Sequence, residues 1–363
     1  MLQSAVFFTI LQSKISQMST IFFPPEWFPQ SAVQLTWPHE GTDWADVLDE
    51  VTPCFVSIAR EILKRQALIV VCQDASKVLE LVGMEYSDRL FLYELPSNDT
   101  WARDHGAISV FVDNAPTIYD FTFNAWGMKF PANLDNQLNF SLYGEKAFCL
   151  DVEYLNRMPF VLEGGSLESD GQGTLLTTAE CLLSVNRNEY MSEEEIETYL
   201  IENFGLERVL WLRHGYLAGD DTDSHIDTLA RFCDASTIAY VAPGDVEDEH
   251  TEELRQMEEE IRAFRTLNGE PYRLIELPMA DPFYMDGARM PATYANFLII
   301  NGAVLLPVYG SPKDEVAIQK LQQAFPDREI VGINCLTLLQ QHGSLHCLTM
   351  QYPEGFVAET LNL

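Results

Sequence analysis

Polar segments recur along this chain at nearly even intervals, and that interval restricts the fold more than any other feature. Four such segments lie at 98–106, 162–166, 220–227 and 343–349. Taking one reactive side chain from each, Asp104 to Glu163 is 59 residues, Glu163 to His225 is 62, and His225 to Cys347 is 122, or twice 61. Such spacing suits radially repeated modules, each bringing a strand end or loop to a common centre. The modules share no clear sequence identity, so what repeats is the order of elements.

That order is legible in outline. An apolar run at 67–72 reads as a buried strand. Strands at 90–95 and 107–112 lead into and out of the first segment, and 117–123 alternates as a half-buried strand would. Further strands are expected at 173–178, 208–212, 237–242 and 329–333, with a hairpin-like pair, 296–300 and 303–307, around Asn301-Gly302. Helical spacing starts at 43 with Trp44, Val47, Leu48 and Val51, breaks at Pro53, and resumes with Cys54, Ile58 and Ile62. Ser192 opens a helix with an acidic first turn, and 313–325 is a further helix. The expected organisation is one α/β domain of repeated modules over 18–363. Residues 1–17 are apolar but have no basic lead-in or small-residue cleavage site, so they are expected to be a leader before a natural start at Met18.

The formal net charge of −33 argues against nucleic acid or an anionic membrane surface, both of which require a positive footprint. It is compatible with a cationic ligand, although much of it lies in solvated helix-like stretches at 191–203 and 245–265. No apolar run reaches the ~20 residues that span a bilayer. The seven cysteines are scattered, odd in number and free of C-x-x-C, so a reducing, cytoplasmic compartment suits them better than a disulfide framework. Most sit in apolar runs and read as inert buried thiols.

Cys347 differs, with a polar, glycine-containing lead-in and His346 beside it. A thiol and an imidazole can serve as nucleophile and acid/base, and His225 provides the imidazole. If 225–227 is a strand, His225 and Asp227 point to the same side. Glu163 ends an apolar run, where an acid is costly unless paired. Asp104 follows Arg103 directly, so a local ion pair is the plain alternative. More carboxylates than one histidine needs suggest a substrate that is cationic at the reacting centre. His105, His225, Asp227, His346 and Cys347 are metal-ligand types, but no H-x-x-x-H or H-E-x-x-H spacing joins them, and no metal is expected. No phosphate-binding glycine pattern appears and no cofactor is expected; Gly164-Gly165 read as turn glycines.

Seven strings together resemble the agmatine deiminase and bacterial peptidyl-arginine deiminase family, within the guanidino-group modifying superfamily. They are Phe23-Pro24-Pro25-Glu26-Trp27, Trp37-Pro38, Asn98-Asp99-x-Trp101-x-Arg103-Asp104-x-Gly106, Phe123-Asn124-Ala125-Trp126-Gly127, Leu162-Glu163-Gly164-Gly165-Ser166, the run from Asp221 through His225 and Asp227 to Phe232, and Leu345-His346-Cys347-Leu348-Thr349. The sequence departs from that pattern at 341–344, Gln-His-Gly-Ser in place of a more glycine-rich lead-in, and at Ser224, where glycine is usual. The resemblance implies a five-bladed α/β propeller of ββαβ modules with pseudo-fivefold symmetry around a central active site. It implies Cys347 as nucleophile on a guanidinium carbon, His225 as general acid/base, Asp104 and Asp227 as the carboxylates that grip the guanidinium, and Glu163 as support for His225. Trp101, Trp126 and Asn296 are the expected substrate-binding residues. The implied reaction converts agmatine to N-carbamoylputrescine on the way to putrescine. The alternatives are peptidyl-arginine deimination, amidinotransfer, and agmatine binding without turnover. A small cationic guanidino compound is the expected partner, and a homodimer is compatible.

Overall fold

The computed structural model describes residues 19–360; the expected leader at 1–17 lies outside them. Its strands fall into five separate sheets of three or four strands and one small hairpin. Each of the five contains an antiparallel pair followed, across a helix, by a parallel strand. The first sheet joins Thr349–Pro353 antiparallel to Gln30–Thr36, then Ala67–Cys72 and Leu90–Glu94 in parallel. The second pairs Ile108–Val112 with Ala115–Thr122 and adds Glu153–Val161 in parallel, with Ile21–Phe22 on its other edge. The third, fourth and fifth run Glu168–Ser169, Thr174–Thr178, Arg208–Leu212; Ala230–Asp234, Thr237–Val241, Arg273–Leu277; and Leu298–Ile300, Ala303–Val308, Glu329–Asn334. The architecture is mixed α/β, and none of these sheets closes on itself.

Local chemistry explains the elements. The run Ala67–Cys72 is buried at every position, as a strand covered on both faces should be. Helix Glu193–Phe204 begins at Ser192 with a capping box to Glu195 and ends at Gly205, whose φ of 65° is left-handed. Helix Leu48–Leu63 corrects the expected break at Pro53: it runs through the proline without interruption. The proline removes one backbone hydrogen bond, a cost of ~3 kcal/mol. The buried stripe Val51, Cys54, Phe55, Ile58, Ala59, Ile62 and Leu63 more than offsets it.

The apolar core is divided into four clusters between the sheets. One joins the first and second sheets, one the second and third, one the third, fourth and fifth, and one the fifth and first. Phe204, fully buried, sits in the cluster between the second and third sheets, with ring centroids 4.7 Å from Phe23, 6.0 Å from Tyr119 and 5.9 Å from Phe121. Phe204→Ala should therefore cost ~3–5 kcal/mol of unfolding free energy, lowering the denaturation midpoint while leaving activity per folded molecule intact. An unchanged midpoint would show that this cluster does not hold the two sheets together.

Candidate active site

Every expected reactive residue lies just before the first strand of a module. Asp104 is in the helical turn Ala102–His105, ahead of Ile108–Val112. Glu163 precedes the turn Gly164–Ser166 and strand Glu168–Ser169. His225 and Asp227 belong to the turn preceding Ala230–Asp234. Cys347 is in the turn His346–Leu348, which runs directly into Thr349–Pro353. Asn296 holds the same place before Leu298–Ile300, and so fills the doubled interval between His225 and Cys347. His225 and Asp227 are not on a strand, as expected, but flank and enter a 3₁₀ turn; both side chains are nevertheless fully buried.

The turn that carries Cys347 is fixed by Asn296. Its side-chain oxygen accepts the backbone N–H groups of His346 at 2.9 Å and Cys347 at 3.2 Å, and lies 3.4 Å from the thiol. Its side-chain amide donates to the Asp227 carbonyl at 3.3 Å. Asn296 thus ties the Cys347 turn to the Asp227 turn, 3.4 Å from the thiol. In the lead-in, a Cβ on Gly343 would lie 2.2 Å from the Trp101 ring, so that position admits no side chain without movement. His342 beside it is left-handed and bonded through Nδ1 to the Gly219 carbonyl at 2.6 Å.

The two carboxylates facing the thiol are held differently. Asp104 accepts the Trp126 indole N–H at 2.9 Å and the Gly165 N–H at 3.0 Å. Burial pushes its carboxyl up to about 6, with Asp227 adding to the rise, although His225 opposes it. Arg103 does not pair with it; that guanidinium turns toward Glu26, 3.8 Å away. Asp227 Oδ2 takes a hydrogen bond from His346 Nδ1 at 2.7 Å, while Oδ1, buried, has no partner. Burial alone would raise Asp227, but the His346 bond holds it below the usual carboxylate range. The pair therefore supplies negative charge and an unused acceptor beside the thiol. Burial and both carboxylates push the Cys347 thiol well above its ordinary value.

His225 Nδ1 lies 3.5 Å from Asp104 and Nε2 3.8 Å from Glu163. Burial disfavours its cation, yet Asp104, with Cys181 and Glu163, carries the imidazole well above its ordinary value. Gly165 is a close-approach glycine as well as a turn residue. A Cβ there would fall 2.5 Å from His225 Nδ1 and 2.7 Å from Asp104 Oδ1. Glu163, Cys181 and His225 form the one group of three metal-ligand types among the described residues, but both Glu163 oxygens already accept from Arg187 Nε.

A cavity opens above Cys347. Trp101, Trp126 and Phe130 wall it, with Asp104 and Thr228 deep inside and Asp43, Asp99, Asp220, Asp221, Gln341 and His342 around them. No arginine or lysine lines it. Burial, with Asp43 and Asp135 nearby, pushes Asp99 up to about 7. Burial and Asp220 push Asp221 up to about 6. The wall is strained: Ala125, Trp126 and Met128 all have positive φ, a cost of order 1–3 kcal/mol each that persists where the surroundings impose it.

Residues 22–353 match the model of the Porphyromonas-type peptidyl-arginine deiminase family. The chain belongs to that family. An agmatine deiminase of Stutzerimonas stutzeri is 31% identical over 358 residues, 93% of this chain and 96% of its own. A Porphyromonas gingivalis structure provisionally named an arginine deiminase is 57% identical with a TM-score of 0.91, covering 93% of this chain and all of its own. A cysteine-to-serine agmatine deiminase of C. jejuni with substrate bound is 38% identical with a TM-score of 0.87, covering 93% and 98%.

Several residues of this family member were not singled out by sequence reasoning. Glu26, of the Phe23–Trp27 string, accepts from Arg231 at 2.6 Å and meets His346 Nε2 at 2.6 Å, while Arg231 also pairs with Glu168. This buried net backs Asp227 through His346. Arg187 backs Glu163, and Phe130 stands over Trp126 at 5.7 Å. Only the clustering of Glu26 with a shared string gave any hint; Arg187 and Phe130 had none.

The raised thiol yields a test. In the empty enzyme iodoacetamide should alkylate Cys347 more slowly at neutral pH than it alkylates a free thiol, with the rate rising only as pH passes above the ordinary thiol range. Peptide mass spectrometry reads the site; fast, pH-independent labelling would show that Cys347 is already a thiolate.

Proposed function

We propose that the protein is an agmatine deiminase, a hydrolase acting on the guanidinium C–N bond, with N-carbamoylputrescine and ammonia as products. The observation that carries the substrate choice is the cavity lining: aspartates, aromatic rings and no arginine or lysine. Free arginine adds a carboxylate at the far end and peptidyl-arginine an amide, and a carboxylate there would meet Asp43, Asp99, Asp220 and Asp221, while the nearby Lys129 is already engaged by Asp223 and the Asp221 carbonyl. Agmatine carries an ammonium instead, and the same aspartates attract it.

Each side chain then has a role. Asp104 and Asp227 grip the planar, forked guanidinium, whose donors match carboxylates in pairs. Cys347 lies 4.0 Å from Asp227 Oδ2, so a guanidinium held by these carboxylates places its carbon against Sγ. The arriving cation compensates the negative charge that keeps the thiol protonated, so Cys347 releases its proton to solvent through the cavity and attacks as thiolate once substrate is bound. Sγ attacks the carbon, and His225, already cationic, gives its proton to the departing ammonia, leaving a thiouronium adduct on Cys347. His225 then takes a proton from water as its oxygen attacks that carbon, the C–S bond breaks, and the ureido product leaves with Cys347 restored. Trp101 and Trp126 wall the aliphatic chain, and Trp126 also holds Asp104.

The five modules are the blades of a five-bladed α/β propeller. Two features support this: apolar clusters link the sheets in cyclic order, and five modules place Asp104, Glu163, the His225–Asp227 pair, Asn296 and Cys347 at one structural position. The seven free cysteines suit a reducing, cytoplasmic setting.

Given agmatine and arginine together, the enzyme should favour agmatine by at least ~10²-fold in kcat/KM, equivalent to ~2.7 kcal/mol. Chromatography of the ureido products decides it: citrulline formed as readily as N-carbamoylputrescine refutes the substrate assignment. Cys347→Ser should release no ammonia and still bind agmatine. Because protonation of Asp104 near 6 removes half of the grip, that binding should weaken as pH falls through the same value. Calorimetric affinity that stays flat across this window would separate Asp104 from substrate binding.

A further inference from the structure

Arg187 lies outside the substrate cavity, yet it is among the most fully engaged side chains in the protein. It belongs to the irregular stretch between the short helix Ala179–Leu182 and helix Glu193–Phe204, and its guanidinium is sealed from solvent. Nε donates to both oxygens of Glu163, at 2.8 and 3.1 Å. Nη1 donates to Asp223 at 2.6 Å and Nη2 to the Thr222 carbonyl at 2.8 Å. One planar fork thus joins the strand end that carries Glu163 to the loop two residues ahead of His225. Asp223 is itself left-handed, with φ of 66°, and its other oxygen accepts from Lys129 at 2.7 Å. Lys129 stands between Met128 and Phe130 in the strained cavity wall.

We propose that Arg187 is a positioning residue for the reaction: it keeps Glu163 an aimed carboxylate beside His225 and, through Asp223 and Lys129, ties that pair to the wall of the substrate cavity. The assignment uses the deiminase reading for its assay only.

The charge arrangement gives the sign of the effect. Groups facing Glu163 are Arg187, Cys181, His225 and Asp104; those facing His225 are Asp104, Glu163, Cys181 and Asp227; those facing Arg187 are Glu163, Asp223 and Cys181. Burial alone would raise Glu163, and Arg187, ahead of His225, holds it below the usual range. Removing the guanidinium leaves a cluster that is otherwise mostly anionic, so Glu163 takes up a proton at higher pH. A protonated, unanchored Glu163 no longer holds His225 for proton transfer. Arg187 itself does not reach the cavity and meets its lining only through the Thr222 carbonyl, so the loss falls mainly in turnover.

Three variants of the full-length enzyme test this, with thermal denaturation as the check on folding. Arg187→Met should lower kcat by ~10²-fold with KM within about threefold, and move the acid limb of kcat upward by about one pH unit or more. Arg187→Lys, which keeps the charge but not the fork, should recover part of kcat and most of the limb. Asp223→Asn, at a partly exposed position, should give a smaller fall in kcat of the same kind. Independently of turnover, carboxyl-¹³C NMR of the unliganded protein, with Glu163 assigned by Glu163→Gln, should show Glu163 titrating at higher pH in Arg187→Met than in wild type. If Arg187→Met does not fold, Arg187→Lys and Asp223→Asn decide by the same readouts. Wild-type kcat, limb and Glu163 titration in the folded variants overturn the proposal. Absence of agmatine turnover in wild type overturns the functional reading instead, and the NMR titration still judges Arg187.

Discussion

Charge sealed from water at the centre of the molecule is the constraint on which the rest depends. Glu26, Arg103, Asp104, Glu163, Glu168, Arg187, His225, Asp227, Arg231 and His346 are all buried. Ionised groups in such surroundings survive only when paired and hydrogen-bonded. The pairing is uneven. Glu163 has a guanidinium and Asp227 has His346, itself backed by Glu26. Asp104 has only an indole and a backbone N–H beside the His225 ring, and it alone of the three is pushed upward. The deficit lies on the cavity side, beside a thiol whose own ionisation the same two carboxylates oppose. A site arranged this way is incomplete without a cation.

The rest of the architecture serves that centre by keeping it separate from the apolar core. Hydrophobic burial is concentrated between the sheets, where clusters such as that around Phe204 bind one module to the next. The inner strand ends are left to short turns whose backbone groups are available. Asn296 uses such groups to fix the Cys347 turn, and Gly165 and Gly343 let backbone approach side chains more closely than a Cβ would allow. The cavity wall at 125–128 carries positive φ at non-glycine residues, and its Trp126 reaches Asp104.

Much of this was legible in the sequence, and the reasons are local. Ala67–Cys72 announced itself because buried parallel strands are apolar throughout, and Ser192 because the acidic turn after it marks a helix start. Cys347, His225, Asp227, Asp104 and Glu163 stood out because polar, glycine-flanked turns recur at the module length. Pro53 misled because propensity is local while the apolar stripe that overrides it is tertiary. The bonds by which Asn296 holds the Cys347 turn were not legible, because its partners His346 and Cys347 lie 50 and 51 residues away. Arg187 was invisible, since its partners Glu163 and Asp223 lie 24 and 36 residues away and no periodicity links them.

One pairing has a consequence for biogenesis. Thr349 lies opposite Leu35 and Met350 opposite Gln34, so the first sheet gains its outer strand from residues more than three hundred positions downstream. Contacts of such sequence separation are slow to form. The strand that makes them follows immediately on Cys347. During synthesis every other member of the site emerges from the ribosome first, and the carboxylates and imidazole must wait for the Cys347 thiol. Until that last strand docks, the thiol has neither the Asn296 clasp nor the acidic surroundings that restrain it. Assembly of the reactive centre and closure of the first sheet are therefore one event, and a chain arrested before it carries the acids of the site without its chemistry.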